Sequence, residues 1–473
     1  MNILNMDATE LAKCISAGDL TSLQVTEAYI AQLQTVNPAL NCLIEDRFDL
    51  ARKEAANIDQ RIKAGEAEGK LLGVPVSVKD CFHVKGMKTT SGLIHRKNWV
   101  QNEDAEIISR IKQEGAIIIG KTNTPALCFC QETDNKLFGR TNNPWNTDKT
   151  PGGSSGGEGA LMAVGGAAVG LGGDIGGSIR FPSHFNGIVG FKSGHTQVPA
   201  EGNYPAIIIE EQARMLGIGA MGKSVRDARL MNEIIAYGPP ESADISEFII
   251  DIPAKQPDLP LQPETEEHVI QLGRLLRNHF KTDHALPPYF AEAAVMWQEI
   301  MSMDGGKGVR GMLSDKDKPS LVIEYIKERL FHNSDIHYFL SWAIIGTGLF
   351  KPSAKRMQQI GEILKRGDEA IDHYFSHRIV ILPVYHRTAP LHGQLYRDLF
   401  SIKKTGFKYI PYVAYANTWG LPSLTVPIAE DGEGMPLAVQ LVSKVGNEEA
   451  LFQLGEWLEQ HTRGYKRCSL HDK

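Results

Sequence analysis

Nowhere in its 473 residues does the chain reach the roughly 18 to 20 consecutive apolar side chains that a membrane-crossing helix requires. The nearest run, 338–350, is shorter and broken by glycine, so no membrane span is expected. The opening Met1-Asn2-Ile3-Leu4-Asn5-Met6-Asp7 has neither the basic nor the apolar stretch of a secretory signal, which predicts a cytoplasmic location. Cysteine is sparse. Cys14, Cys42, Cys81, Cys128, Cys130 and Cys468 show no framework spacing, and Cys128-x-Cys130 is neither a redox pair nor half a zinc site, so free thiols are expected. No H-E-x-x-H or histidine cluster is present, and neither a metal nor a cofactor is expected. A concentrated basic stretch is missing as well. With 50 Lys and Arg against 56 Asp and Glu, the net charge of -6 argues against nucleic acid or an anionic membrane as principal partner.

Glycine is what the chain has in abundance, and it is densest at 152–180, GGSSGGEGALMAVGGAAVGLGGDIGGSIR. Such density costs chain entropy and belongs where backbone must take left-handed conformations or approach a ligand closely. Two glycine-serine turns bracket an apolar segment here. Before Ser178, the residues Asp174-Ile175-Gly176-Gly177 carry little side-chain bulk. The N–H groups of Ile175, Gly176, Gly177 and Ser178 are therefore placed to converge on an oxyanion while the Ser178 hydroxyl attacks a carbonyl. That chemistry also needs a base, and neither turn holds a histidine.

The wording GGSSGGEGAL and DIGGSIRFPS, with Gly139-Arg140-Thr141-Asn142-Asn143-Pro144 upstream, resembles the signature region of the amidase signature family. Within it the chain is most similar to the fatty acid amide hydrolases. The resemblance covers most of the chain and fails from about 240 to 380. It implies a Ser-Ser-Lys triad with Ser178 as nucleophile, Ser154 as a bridging serine after a cis peptide bond, and Lys79 of Val76-Ser77-Val78-Lys79-Asp80 as base. It also implies that Cys128 presents its backbone carbonyl to the substrate and that Asp174 and Arg180 support the nucleophile's loop. Two departures bear on loop rigidity: Gly173 stands where the family commonly has threonine or serine, and Lys192-Ser193 where it has lysine-proline. Burial of Lys79 among Val76, Val78 and the glycine turns favours the uncharged amine that a base requires. Ser155 is expected to play a secondary, hydrogen-bonding part.

Organisation follows from periodicity. The first sixty or so residues read as helices, with Asp7 and Glu10 as a capping pair, Asn37-Pro38 as a stop, and a third helix from about Asp46 to Ala64. The segment 72–80 reads as a buried strand with Lys79 near its C-terminal end, where open α/β sheets gather ligands. A helix from about Asp104 leads to the apolar strand 116–120, and 187–192, 424–426 and 437–442 are further strands before a closing helix, 448–460. The alternation predicts an α/β fold: one large domain with a mixed, mostly parallel central sheet covered by helices on both faces. Within it, 1–70 is a helical scaffold, 71–235 a catalytic core, 240–380 a divergent helical region shaping the substrate pocket, and 381–473 a return to the sheet. The middle region offers Leu330, Phe331, Tyr338, Phe339, Trp342 and Leu349 as apolar area for a long acyl chain.

Three competing motifs carry less. Gly152-x-Ser154-x-Gly156 matches a nucleophile elbow but follows a loop rather than a strand. Gly217 to Ser224 is a literal G-x-x-x-x-G-K-[ST] that would bind nucleotide, yet a poor strand precedes it, and Ser224 with Asp227 reads better as a capping box. Ser401-x-x-Lys404 shares its lysine with Lys404-Thr405-Gly406 and so cannot supply two separate elements. The expected protein is thus a serine amidohydrolase acting on a small-molecule amide, with a homodimer as its expected assembly. The amidase component of a tRNA-dependent amidotransferase, its A subunit, is the alternative, and a nucleotide-binding protein a more distant one.

Overall fold

The computed structural model describes residues 2–253, 259–314, 319–400 and 410–472, so the serine-lysine pair at 401 and 404 lies outside the described residues. Asp7 accepts a hydrogen bond from the Glu10 N–H and caps the first helix, Ala8–Ala17. The next helix, Ser22–Leu40, does not stop at Asn37-Pro38 as expected. Its end is set by Asn41 in the left-handed conformation, while the Asn37 side chain accepts from the N–H groups of Cys42 and Leu43. The chain then forms a short strand, β1 (Leu43–Asp46), that helical spacing concealed, before the helix Phe48–Lys63.

Ten further strands follow: β2 (Pro75–Lys79), β3 (Ile117–Thr122), β4 (Val169–Asp174), β5 (Val189–Lys192), β6 (Gly217–Gly222), β7 (Ile249–Asp251), β8 (Lys281–Asp283), β9 (Arg378–Pro383), β10 (Ser423–Glu430) and β11 (Pro436–Val442). All join one sheet in the order β1-β3-β2-β4-β6-β5-β10-β11-β9-β7-β8. The fold is α/β and the sheet mixed, as expected, but parallel strands do not predominate. Parallel pairing is confined to β3-β2-β4 and β9-β7-β8, and the other pairs are antiparallel. One reason is β6, which inserts in the opposite sense between β4 and β5 after the helix Arg180–Asn186 has carried the chain across. Another is the tight turn at Asp431 to Met435, which makes β10 and β11 a hairpin.

Helices flank the sheet, and strand alternation feeds separate cores. In β9, Ile379 and Ile381 join one apolar cluster while Val380 and Leu382 join another with Phe290, Trp297 and Tyr415. Gly217 to Gly222 is β6 itself, and Lys223 is buried with its Nζ on Leu4 O, Met6 O and Tyr29 Oη. A phosphate loop is thereby overturned, since the lysine that would reach a phosphate is already fully bonded. Ser224 does accept from the Asp227 N–H, but the Asp227 carboxylate turns to Ala8 and Thr9, so only half of the capping box forms.

Candidate active site

Because β2 and β4 run parallel with Val78 opposite Leu171, Lys79 and Gly173 emerge at the same end of the sheet. Strand alternation puts Ser77 and Lys79 on one face of β2, toward the helix Gly156–Ala163, and Val76 and Val78 in the core. Lys79 is buried, its Nζ 2.6 Å from Ser154 Oγ and 3.4 Å from Gly173 O. Thr124, just beyond β3, donates its hydroxyl to Ser154 O at 2.8 Å. The Gly153-Ser154 peptide is cis. No side chain could replace the hydrogen of Gly153, because a Cβ there would sit 2.8 Å from backbone of Cys130, Gln131 and Glu132.

The second turn is built around Asp174. Its carboxylate accepts from the N–H groups of Gly177 (2.8 Å) and Ile179 (3.0 Å), from Arg180 Nε (3.0 Å) and from Asn417 Nδ2 (2.9 Å). Burial alone would raise the Asp174 carboxyl, but the Arg180 guanidinium and these donors hold it well below the usual carboxylate range. Arg180, itself fully buried, also donates to Val413 O and Gln440 Oε1, each at 2.8 Å. Gly177 has φ +90°, and the Phe181 ring would stand 2.6 Å from any Cβ added there.

One expected oxyanion donor is therefore already committed: the Gly177 N–H belongs to Asp174. Among the described residues the N–H groups of Ile175, Gly176 and Ser178 make no hydrogen bond. Ser178 is linked to the first turn through its carbonyl, which accepts from the Ser155 N–H at 3.1 Å. Among the described residues the Ser155 hydroxyl is buried without a hydrogen-bond partner, and its tie to the second turn is made by its backbone N–H. Among the described residues, Ser154 Oγ meets Lys79 Nζ, and no hydrogen bond joins it to the Ser178 hydroxyl.

Lys79, Ser154, Ser178, Ile175 and Cys128 all line one cavity of about 380 Å³, within the usual range for ligand pockets. Its apolar lining includes Ile207, Ile208, Ile209 and Leu216 together with Met301, Val309 and Met312. The run 330–350 contributes only Thr347. Leu330, Phe331 and Leu349 lie on the surface, Phe339 packs on Tyr396, and Leu340 and Ile344 fill a small core with Leu321 and Ile336. The acyl-channel expectation thus fell on the wrong apolar residues, because periodicity marks burial without saying against what. Cys128, at φ +55°, faces the cavity, and its carbonyl accepts no hydrogen bond among the described residues.

Sequence reasoning missed three groups here. Trp297 on the helix Phe290–Met301 donates Nε1 to Ile175 O at 2.7 Å. Gln131 Nε2 lies 3.4 Å from Gly176 O. Glu158, fully buried, accepts from Ser77 Oγ (2.6 Å) and Thr122 Oγ1 (3.0 Å). Burial pushes its carboxyl up to about 7 against the pull of those hydroxyls and of Lys79. Among the described residues no group of three or more His, Cys, Asp or Glu side chains could hold a metal, and no helix is long and apolar enough to cross a membrane.

Fold and relationship together define an enzyme that hydrolyses amide carbon-nitrogen bonds. The profile of the Amidase family matches residues 24–452, and the chain belongs to that family, in its amidase signature form. It is 28% identical to fatty-acid amide hydrolase 2 of Homo sapiens, over 98% of this chain and 90% of that protein. It is 29% identical to the A subunit of the glutamyl-tRNA(Gln) amidotransferase of Lachnospira eligens, over 97% of this chain and 99% of that one. Among solved structures, 6-aminohexanoate cyclic dimer hydrolase complexed with substrate superposes with a TM-score of 0.81 at 23% identity, covering 99% of this chain and 100% of that one, a likeness of fold.

Proposed function

We propose that the protein hydrolyses amides with a long apolar acyl group through an acyl-enzyme on Ser178, using Ser154 and Lys79 as a proton relay. The observation that carries this reading is the buried 2.6 Å contact between Lys79 Nζ and Ser154 Oγ, beside a serine that opens on an apolar cavity. Lys79, as the free amine, takes a proton from Ser154, which takes one from Ser178, and the Ser178 oxygen attacks the carbonyl. Ile175, Gly176 and Ser178 supply N–H donors for the oxyanion, while Gly177 serves the loop through Asp174. The proton returns along the same path to the leaving nitrogen, which departs as an amine. Water then repeats the attack on the ester. The free carbonyl of Cys128 suits it to receive the substrate's N–H, and Met301, Val309 and Met312 give the middle region its part in shaping the pocket.

A fluorophosphonate should label the protein at Ser178, and Ser178→Ala should abolish labelling; modification at Ser154 or Ser155 instead would overturn the assignment. Each methylene buried along the wall is worth up to ~0.8 kcal/mol, so kcat/KM should climb steadily from acetamide-like to oleamide-like substrates. Values that fall along the series, with glutamine as the better substrate, would favour the amidotransferase role instead. The expected homodimer and cytoplasmic location are read separately, by sedimentation velocity and by fractionation.

A further inference from the structure

The sheet holds a second set of parallel strands, β9-β7-β8, and a second cavity stands at their carboxyl ends. Ile252 and Pro253 leave β7, His284 leaves β8, Pro383 closes β9, and all of them line a space of about 340 Å³. The active site stands in the same relation to β3-β2-β4, whose last residues are Thr122, Lys79 and Asp174. Carboxyl ends of parallel strands are where open α/β sheets take their ligands, and the volume suits a small molecule. The two cavities share no lining residue. Among the described residues, the lining of the second contains no serine, threonine, cysteine or lysine, so it is a place for binding rather than for acyl transfer. We propose that this second cavity binds a medium-chain carboxylate, with its head at Arg277 and His284 and its chain along the helix Pro263–Arg277.

That helix turns Glu266, Val269, Ile270, Gly273 and Arg277 to the cavity, a stripe at helical spacing with an acid at one end, a base at the other and apolar surface between. Gly273 packs against Ile252, since a Cβ there would lie 3.6 Å from Ile252 Cδ1, and Ile252 O is in turn held by His284 Nδ1 at 2.8 Å. Arg277 stands one turn beyond Gly273, and a helical side chain leans back toward the N-terminus, so guanidinium and imidazole gather at the same end. A carbonyl can only accept, so Nδ1 of His284 carries the proton and Nε2 is left for a ligand or water. Glu266 lies seven residues before Gly273, about 10 Å along the axis, and repels a carboxylate from the far end.

Apolar groups supply most of the remaining lining. Leu259 and Leu261, just ahead of the helix, receive the end of the chain. Ile270 and Leu286 are 42% and 38% exposed, apolar area that a hydrocarbon would cover. Gly273 is buried in mid-helix, where glycine is a poor helix former, and the side chain it lacks is what leaves room beside Ile252.

The proposal does not rest on the amidase reading, because its test needs no turnover. The probe is dodecanoate carrying a diazirine at the far end of its chain, photolysed on the full chain and located by peptide mass spectrometry. Label should appear within 259–270, apart from any in the active-site cavity at 207–216 and 301–312. Unmodified dodecanoate should compete for 259–270, and dodecanol and dodecylamine several-fold less well. Gly273→Leu restores helix propensity and fills the space, so it should keep its melting temperature and lose the 259–270 label, leaving any label at 207–216 and 301–312 unchanged. Arg277 is exposed, so Arg277→Gln leaves the packing intact and should lose the preference for acid over alcohol. Label confined to the active-site cavity or scattered over the surface would overturn the proposal, as would full 259–270 label in Gly273→Leu. Equal competition by dodecanol or dodecylamine in the parent, or an unchanged acid preference in Arg277→Gln, would do the same.

Discussion

Among the described residues no cationic or anionic side chain is in hydrogen-bonding contact with Lys79; what it touches is the Ser154 hydroxyl and a carbonyl. A side chain held there for structure alone would be exchangeable for one of similar reach. Lys79→Met should therefore keep its melting temperature while losing on the order of 10² to 10⁴ in kcat, the usual yield of general base catalysis. Glu158, on the same face of β2, gives a second test, one of pH. Its carboxyl titrates near 4.5 when free and near 7 in the fold. Between those values the folded state binds more protons, so the stabilisation from Glu158 is complete below the lower value and is lost as pH climbs through the higher. Glu158→Gln titrates nothing in this window. Its melting temperature relative to the parent should rise from pH 5 to pH 8, by an amount corresponding to at most about 3 kcal/mol. A difference independent of pH would mean that Glu158 is ionised throughout. At this scale the motif wording made Lys79, Ser154 and Ser178 legible in the sequence. Glu158 stood inside the same motif, yet nothing in its spacing announced that Ser77 and Thr122, on two other strands, would close over it.

The helix Phe290–Met301 shows how a distant element aims a backbone donor. In a trans peptide, C=O and N–H point in opposite directions. By gripping Ile175 O at 2.7 Å, Trp297 fixes the plane that carries the Gly176 N–H, and its ring covers Gly176, where a Cβ would stand 2.6 Å from Cζ2. Trp297→Phe keeps most of the ring and removes the donor. Leaving a buried acceptor unpaired costs about 1–3 kcal/mol, so kcat should fall roughly tenfold or more with KM nearly unchanged. Equal losses in substrate binding and turnover would mean that the tryptophan only fills space. Nothing in the sequence pointed to it, because one indole in a divergent helical stretch has no spacing signal, and its partner lies 122 residues away. The same limit explains the acyl wall: no periodicity singled out 207–209, which line the cavity, whereas the longer apolar run at 330–350 proved to be core and surface.

Across the whole molecule, the sheet order brings the first strand and the last hairpin into one sheet, and Arg180 sits where its parts meet. Its guanidinium joins Asp174 on β4, Val413 and Asn417 before β10, and Gln440 on β11. Arg180→Ala would strand a buried carboxylate and should cost about 3–5 kcal/mol, read as a lower urea midpoint. Only β2, β3, β5, β10 and β11 were legible from apolar runs, and their neighbours were not, since β6 and β10 reach their places by long-range pairing that leaves no local mark.

The same joint governs how the enzyme ages when heated. A catalytic loop fastened to strands far apart in the sequence has no private way to loosen. Turnover should therefore survive intact up to the point at which the molecule comes apart, and the half-life of activity at a given temperature should equal the lifetime of the folded chain. Parallel decay curves from assay and circular dichroism during one incubation would display that lockstep, and activity vanishing ahead of the ellipticity would break it.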